Sequence, residues 1–368
     1  MILLSLLLAT SVADAQRRFG PGVCGPADPV YIRTASETGG QPFFLSPAEV
    51  ASSSRIMSAA TQSELMLWAS ADGERTYIVR IDASVERATF SASFDGTGGT
   101  LDVLTPEGLE VHQTAGIDDT PLNCGRVIAI DAPASGAWHL RVRPSGRFWL
   151  VAHARTDLAL IATEFVERGG RPGHEGLFRI QGQPIAGTPA TLRVRLSSGP
   201  KNPAFQLISV SGRVLQPIEL QAVDAEEFIG SVTLPSEPFR LMATGTDESG
   251  ATFQRLSAAL FHAEQIQVIP PAIETLAAGA ATPVTFTIRN LGPAVRLTLT
   301  ATDGHGKVLT VQPSTLQLGS ASEGAATVSL AIPVTEAERD VSVLLTASGV
   351  APSTAMNYAR KQFAVSRR

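Results

Sequence analysis

Residues 64–94, ELMLWASADGERTYIVRIDASVERATFSASF, decide the fold class. Three runs, Glu64–Trp68, Arg75–Ile81 and Ala88–Phe94, alternate or run apolar with a period of two, the repeat of a pleated strand rather than of a helix. Between the first two, Ala71-Asp72-Gly73 supplies the positive φ of a tight turn. Downstream the rhythm continues through Thr100–Leu104, Arg126–Asp131, Gly136–Arg143 and Arg147–Arg155. Asp95-Gly96-Thr97-Gly98-Gly99, Pro106-Glu107-Gly108 and Pro144-Ser145-Gly146 separate these runs. Short strands at this spacing predict an antiparallel sandwich over 61–156.

Two further sets follow. Over 157–264 the expected strands are Ala159–Val166, Thr191–Leu196, Phe205–Ser209, Val214–Ala222, Phe228–Thr233, Phe239–Asp247 and Thr252–Phe261. Glu167–Gly176, ERGGRPGHEG, reads as a Gly-rich loop whose arginines are those of a mobile turn. Over 265–368 they are Pro283–Asn290, Val295–Asp303, Lys307–Val311, Leu316–Leu318, Ala325–Pro333, Arg339–Ser348 and Tyr358–Val365. An Asn-Leu-Gly-Pro turn at 290–293 and a hairpin at Asp303-Gly304-His305-Gly306 punctuate this last set. Its order resembles the immunoglobulin-like modules common in extracellular proteins. No motif repeats between the two sets, so they are analogous modules rather than a sequence repeat.

Upstream of residue 61 the pattern changes to αβα. Thr34, Ser36 and Thr38 precede Gly39-Gly40, a pair suited to end a helix in the left-handed conformation. Gln41–Leu45 carries Pro42, Phe43, Phe44 and Leu45 and predicts a short buried strand. Ser46-Pro47-Ala48-Glu49 then reads as a helix start: Ser as N-cap, Pro at the first position, Glu to complete a capping box. Val50, Ile56, Met57 and Ala60 give that helix a loose apolar face. So small a piece cannot cover both faces of its strand, and leaving each large apolar side chain in water forfeits about 1.5–3 kcal/mol. It is expected to pack on the 61–156 sandwich.

Composition fits an exported, modular, mainly β protein. The 368 residues are too many for one ordinary core, charged residues are only 17%, and Gly (32) and Pro (24) are abundant, which suits many strands joined by turns. The formal charge of -5 is spread without runs, leaving no basic footprint for nucleic acid. MILLSLLLATSVADA, residues 1–15, is an apolar run ending in the small-x-small pattern Ala13-Asp14-Ala15, so it reads as a signal peptide despite lacking a basic residue at its start. No other run of about 18 apolar residues exists to span a bilayer, and no Cys follows the leader directly for lipid anchoring. A secreted or periplasmic location follows. In such a compartment Cys24 and Cys124 stand open between one bridge, tying the N-terminal segment to the first sandwich, and two separate thiols.

The stretch Tyr31–Val50, YIRTASETGGQPFFLSPAEV, looks like the last helix–strand–helix of a von Willebrand factor A domain as found in hemicentins. Gly22–Tyr31 is similar to the segment just before it. SGAWHLRVRPSGRFWLVAHARTDLAL and FRLMATGTDESGATFQRLSAALF are similar to hemicentin segments that follow the A domain, so the resemblance covers Gly22–Phe261. It implies a truncated A-domain remnant at 16–60 and a non-catalytic structural or adhesion-type role, while the period-two patterning predicts three β-sandwich modules (immunoglobulin-like or jelly-roll-like) at 61–156, 157–264 and 265–368. The partner it implies is another protein or an extracellular, cell-surface component. The alternative is an accessory or carbohydrate-binding region of an exported hydrolase system, with Trp68, Trp138 and Trp149 as a stacking surface.

Residues able to carry chemistry are sparse. A domains bind a divalent ion through Asp-x-Ser-x-Ser, and the nearest string here, Asp82-Ala83-Ser84-Val85-Glu86, ends in Glu within a β pattern. Asp118 and Asp119, in AGIDDTPLNCG, form the most acidic loop pair and are the weak candidates for Ca²⁺, with Asp72 and Asp95 on other loops of the same module. Of the histidines 112, 139, 153, 174, 262 and 305, none has HExxH or paired spacing, and His139 and His153 are expected at a sandwich surface or rim. No GxSxG elbow exists, so catalytic and cofactor-binding residues are expected to be none.

Overall fold

The computed structural model describes residue 24 and residues 28–366, apart from 61–63, 171–172, 198–199, 280, 304–305, 307 and 337–339. The leader at 1–15 and residues 304–305 of the expected 303–306 hairpin, His305 among them, lie outside the described residues. The chain forms two compact units: residues up to 164 with 192–231 and 238–261, and residues 165–191 with 232–237 and 262–368. The fold is mainly β, built of antiparallel sheets in tandem immunoglobulin-like sandwiches, as the period-two patterning predicts.

The first sandwich uses β1 (Glu64–Asp72), β2 (Arg75–Ile81), β3 (Val85–Phe94), β4 (Thr100–Leu104), β5 (Ile117–Leu122), β6 (Gly125–Asp131), β7 (Gly136–Arg143) and β8 (Arg147–Thr156). Its sheets run β1-β8-β3-β6-β5 and β2-β7-β4. Met66, Val79, Phe90, Leu101, Ile128, Trp138 and Phe148 are among the core between them. Strand β7 alternates buried and exposed residues, as a sheet with one wet face should. Strands β1, β3 and β8 do not: LMLW, TFSASF and FWLVA are buried almost without interruption. Runs of that kind need cover on both faces.

Strand β5 escaped the sequence reading because IDDTPL carries two Asp and a Pro, all depleted in strands. As an edge strand it tolerates Pro121, whose missing N–H costs no ladder bond on the open side.

The middle strands are β9 (Leu160–Gly169), β10 (Gly176–Arg179), β11 (Pro189–Leu196), β12 (Lys201–Ser209), β13 (Val214–Ile218), β14 (Gln221–Ala222), β15 (Glu227–Thr233), β16 (Phe239–Thr246) and β17 (Thr252–Leu256). They order as β10-β9-β11-β15-β14 and β13-β12-β16-β17. The expected strand Val214–Ala222 is two strands in different sheets, the chain crossing over after Ile218. The expected Gly-rich loop is partly the β9–β10 hairpin, Gly169 pairing with Gly176.

The C-terminal sandwich contains β18 (Ile266–Ile269), β19 (Thr275–Ala277), β20 (Ala281–Asn290), β21 (Val295–Asp303), β22 (Val308–Gln312), β23 (Thr315–Leu318), β24 (Ser322–Ala331), β25 (Asp340–Gly349) and β26 (Met356–Ser366). The sheets run β18-β20-β24-β22 and β19-β26-β25-β21-β23, with β19 parallel to β26. Buried Asn290 fixes the expected turn: its amide nitrogen donates to Pro293 O and Gly319 O, each at 2.7 Å, and its oxygen accepts from Gly292 N at 3.0 Å.

Candidate functional site

An N-terminal arm supplies the second cover that β1, β3 and β8 require. Helix α1 (Pro29–Thr38) is capped at its start by Asp28, whose carboxylate accepts from Val30 N at 2.9 Å, and at its end by Gly39 in the left-handed region, φ 78°. Gly39 is needed twice over, since a Cβ there would also sit 2.9 Å from Ala258 O. Gln41–Leu45 pairs with no strand, contrary to expectation. The Gln41 side chain carries the contact that a ladder would have made: Nε2 donates to Trp149 O at 2.9 Å and Oε1 accepts from the Ser91 hydroxyl. Of the two consecutive aromatics, Phe44 packs on Trp149 with ring centroids 5.4 Å apart.

The expected capping box at Ser46–Glu49 is half present. Glu49 Oε2 accepts from Ser46 N at 2.8 Å and from Ser46 Oγ at 2.7 Å, but the residues form a turn, followed by a 3-10 segment Val50–Ser52 and helix α2 (Ser53–Ala60). The Glu49 carboxylate has a second task, reaching Asn123 N and Asn123 Nδ2 on the β5–β6 turn. Burial pushes its pKa up, but these hydrogen bonds outweigh that and hold it below the usual range. The adjoining residue Cys124 is disulfide-bonded to Cys24, Cα to Cα 6.2 Å. The arm is thus fastened at both of its ends to one turn of the first sandwich.

Beneath the arm lies a shared apolar cluster: Phe44, Leu65, Trp68, Cys124, Trp149, Val151, Ile208 and Leu256. Arg240 of β16 is sealed within it at 1% exposure, its guanidinium 5.0 Å from the Trp68 ring. It donates to Ser36 O, Ser257 O and Ala258 O, so it satisfies a late carbonyl of α1 while complementing the negative end of that helix. Burial lowers its pKa to about 10, still charged at neutral pH. Trp68 Nε1 donates to Gly40 O at 2.8 Å.

Next to this cluster a cleft of about 480 Å³ opens between arm and sheet. Its floor is Thr89, Ser91 and His153; Phe43, Ile56 and Leu160 stand among its walls. His153 is therefore not at an open rim. Burial pushes its imidazole down to about 4, so it is neutral at pH 7. The period-two pattern carried no sign of this, because the covering face comes from residues far earlier in the chain, Phe43 and Ile56 among them.

The other sequence candidates are dispersed. Asp118 and Asp119 are not a loop pair but consecutive residues of β5, which places their side chains on opposite faces of the sheet. Asp118 bonds Arg87 at 2.7 Å, and Asp119 takes both Nε and Nη2 of Arg126, at 3.0 and 2.7 Å. Asp72 meets Arg147 at 3.3 Å. Asp82 is fully buried on Arg255, 2.8 Å away, so the metal-like string is a structural turn. Among the described residues no group of three or more His, Cys, Asp or Glu is placed to hold a metal ion. Trp68, Trp138 and Trp149 are 2–4% exposed and present no stacking face.

Residues 265–367 match a family model described as the VWA7 Ig-like domain. The chain is 25% identical over 247 residues to hemicentin-1 of Mus musculus, a match covering 63% of this chain and only 4% of hemicentin-1. Among solved structures, a DUF4785 family protein from Legionella pneumophila is similar with 10% identity and a TM-score of 0.40, covering 79% of this chain and 91% of that one. Native alpha-2-macroglobulin of E. coli is similar with 12% identity and a TM-score of 0.28, covering 81% and 23%. Neither TM-score bears on function. The chain resembles hemicentin-1 and the VWA7 Ig-like domain, and it spans only a small part of hemicentin-1's length.

Proposed function

We propose that this is an exported, adhesion-type structural protein whose β-sandwich modules present interaction surfaces to a protein partner or a cell-surface component. The observation that carries the reading is the immunoglobulin-like module at 265–367 within a chain similar to hemicentin-1 over much of its length. The Cys24–Cys124 disulfide supports an oxidising compartment, secreted or periplasmic. Among the described residues no helix is long and apolar enough to cross a membrane. We read residues 16–60 as the end of an A domain, reduced to a cover for the sandwich that follows. The remaining chain divides as 61–156, 157–264 and 265–368.

Strand β22 is an open edge of the C-terminal module, with Leu309 56% exposed, and an edge of that kind can pair with a partner strand. A photo-crosslinking residue at Leu309, in the chain expressed in its own host, tests the reading. Capture of one defined extracellular protein, abolished by Thr310→Pro on the same strand, is expected. Retention of the chain in the cytoplasm, or the same products from both versions, would overturn it.

A further inference from the structure

The cleft under the arm holds two hydrogen-bonding groups that the described residues leave unused. Thr89 and His153 are direct cross-strand partners on β3 and β8, and both line the floor. Thr89 is 5% exposed, and His153 Nδ1 is sealed with no hydrogen-bond partner among the described residues. Several other polar groups at the cleft already have partners. Gln41 bonds Ser91 and Trp149, Glu64 Oε2 accepts from Leu160 N at 3.0 Å, and Gly40 O accepts from Trp68. A pair of adjacent, unspent groups beneath apolar walls is the arrangement of a small-molecule site: shape and burial from the walls, orientation from one polar point.

The chemistry of the occupant follows from charge. Among the described residues no Lys or Arg lines the cleft and Glu64 does, so an anionic head would meet a like charge with nothing to offset its desolvation. A cationic head would find its counter-charge only in Glu64, whose carboxylate already accepts from Leu160 N, while the groups at the floor, the Thr89 hydroxyl and the imidazole, offer it no charge. A hydroxyl or a primary amide is suited instead, because each both donates and accepts, and so matches a neutral imidazole in either tautomer together with the Thr89 hydroxyl.

We propose that this cleft binds a small uncharged amphiphile, an apolar body of roughly ten to fifteen heavy atoms whose single hydroxyl or amide head bonds Thr89 and His153. The arm then acts as the lid of a ligand site as well as the cover of the sheet.

Titration of the full chain at pH 7.5 with 2-naphthol, followed by calorimetry, tests this, with 2-naphthoate as the charged isostere. Saturable one-to-one binding of 2-naphthol is expected, with 2-naphthoate at least about tenfold weaker. Thr89→Val, which keeps volume and β-branching, and His153→Phe should each weaken 2-naphthol by about three- to tenfold at unchanged melting temperature. Val127→Trp, which fills the cleft, should abolish it. No saturable binding up to the solubility of 2-naphthol would overturn the proposal. So would equal binding of the two probes, or affinity unaltered in both Thr89→Val and Val127→Trp.

Discussion

Arg255 and Asp82 meet at 2.8 Å with neither side chain reached by solvent. The arginine comes from β17 and the aspartate from the β2–β3 turn, so the pair locks two sheets of the first unit together. Every arm of the guanidinium is occupied: Nε on Leu158 O at 2.6 Å, Nη1 on Gln254 O at 2.8 Å, Nη2 on Thr156 Oγ1 at 3.1 Å as well as on the carboxylate. Ser84 N donates to the other Asp82 oxygen at 3.2 Å. Burial alone lowers the Arg255 pKa, and the Asp82 charge opposes that shift.

Removing one member of this pair strands the other. Asp82→Ala should therefore lower unfolding free energy by about 3–5 kcal/mol, whereas the double change Asp82→Leu with Arg255→Met should cost clearly less than the sum of its parts. Urea denaturation of the wild type, Asp82→Ala, the two single changes Asp82→Leu and Arg255→Met, and their double measures both quantities. A single-variant loss below about 1 kcal/mol would show that water reaches the pair.

The disulfide joins residues 100 apart, and closing so long a loop restricts the unfolded chain. Reduction, or the double change Cys24→Ser with Cys124→Ser, should lower stability by about 4–5 kcal/mol. In denaturant the wild type with dithiothreitol should match the Ser variant, and the oxidised wild type should be more stable than both. If the reduced and oxidised chains melt together, Glu49–Asn123 and Trp68–Gly40 hold the arm without help from the bridge.

Much of this architecture was legible because alternation is a local property. Arg75–Ile81 and Gly136–Arg143 show one wet face and one dry one, and the sequence predicts their bounds without error. The candidate site was not legible, for a physical reason. LMLW and FWLVA announce that both faces are covered, yet no periodicity says by what. The cover is held by Gln41, an amide standing in for a strand, and by Arg240, whose partners Ser36 and Trp68 lie far away in sequence. The Asp118-Asp119 string misled in the opposite sense: local acidity suggested a loop, while pairing with β6 placed both residues in a strand beside arginines.

His153 should make the chain acid-sensitive above the carboxylate range. Its pKa falls to about 4 in the folded protein against about 6.5 when exposed, so the unfolded chain binds the extra proton between those values. Stability is fully present above pH 6.5 and declines as pH falls towards 4, by at most about 3 kcal/mol. Glu64 lines the same cleft, and Glu64→Gln separates its contribution. In His153→Phe the decline over pH 6.5–4 should flatten. An identical pH profile for the variant and the wild type would mean that the imidazole is solvated.

The arm should be indispensable to the first sandwich. Phe44 is 7% exposed against Trp149, and the cluster below it includes Leu65, Trp68 and Val151. Phe44→Ala removes a buried ring and should cost about 3 kcal/mol. Deleting 16–60 goes further, uncovering two indoles and several aliphatic side chains on one face, a patch of the kind that drives association. The truncated chain should aggregate or bind a hydrophobic dye, and its tryptophan emission should shift to longer wavelength as Trp68 and Trp149 become wet. Should the deletion leave melting temperature, solubility and emission unchanged, β1, β3 and β8 would have to be stable with one apolar face in water, and the covering role assigned to the arm would be wrong.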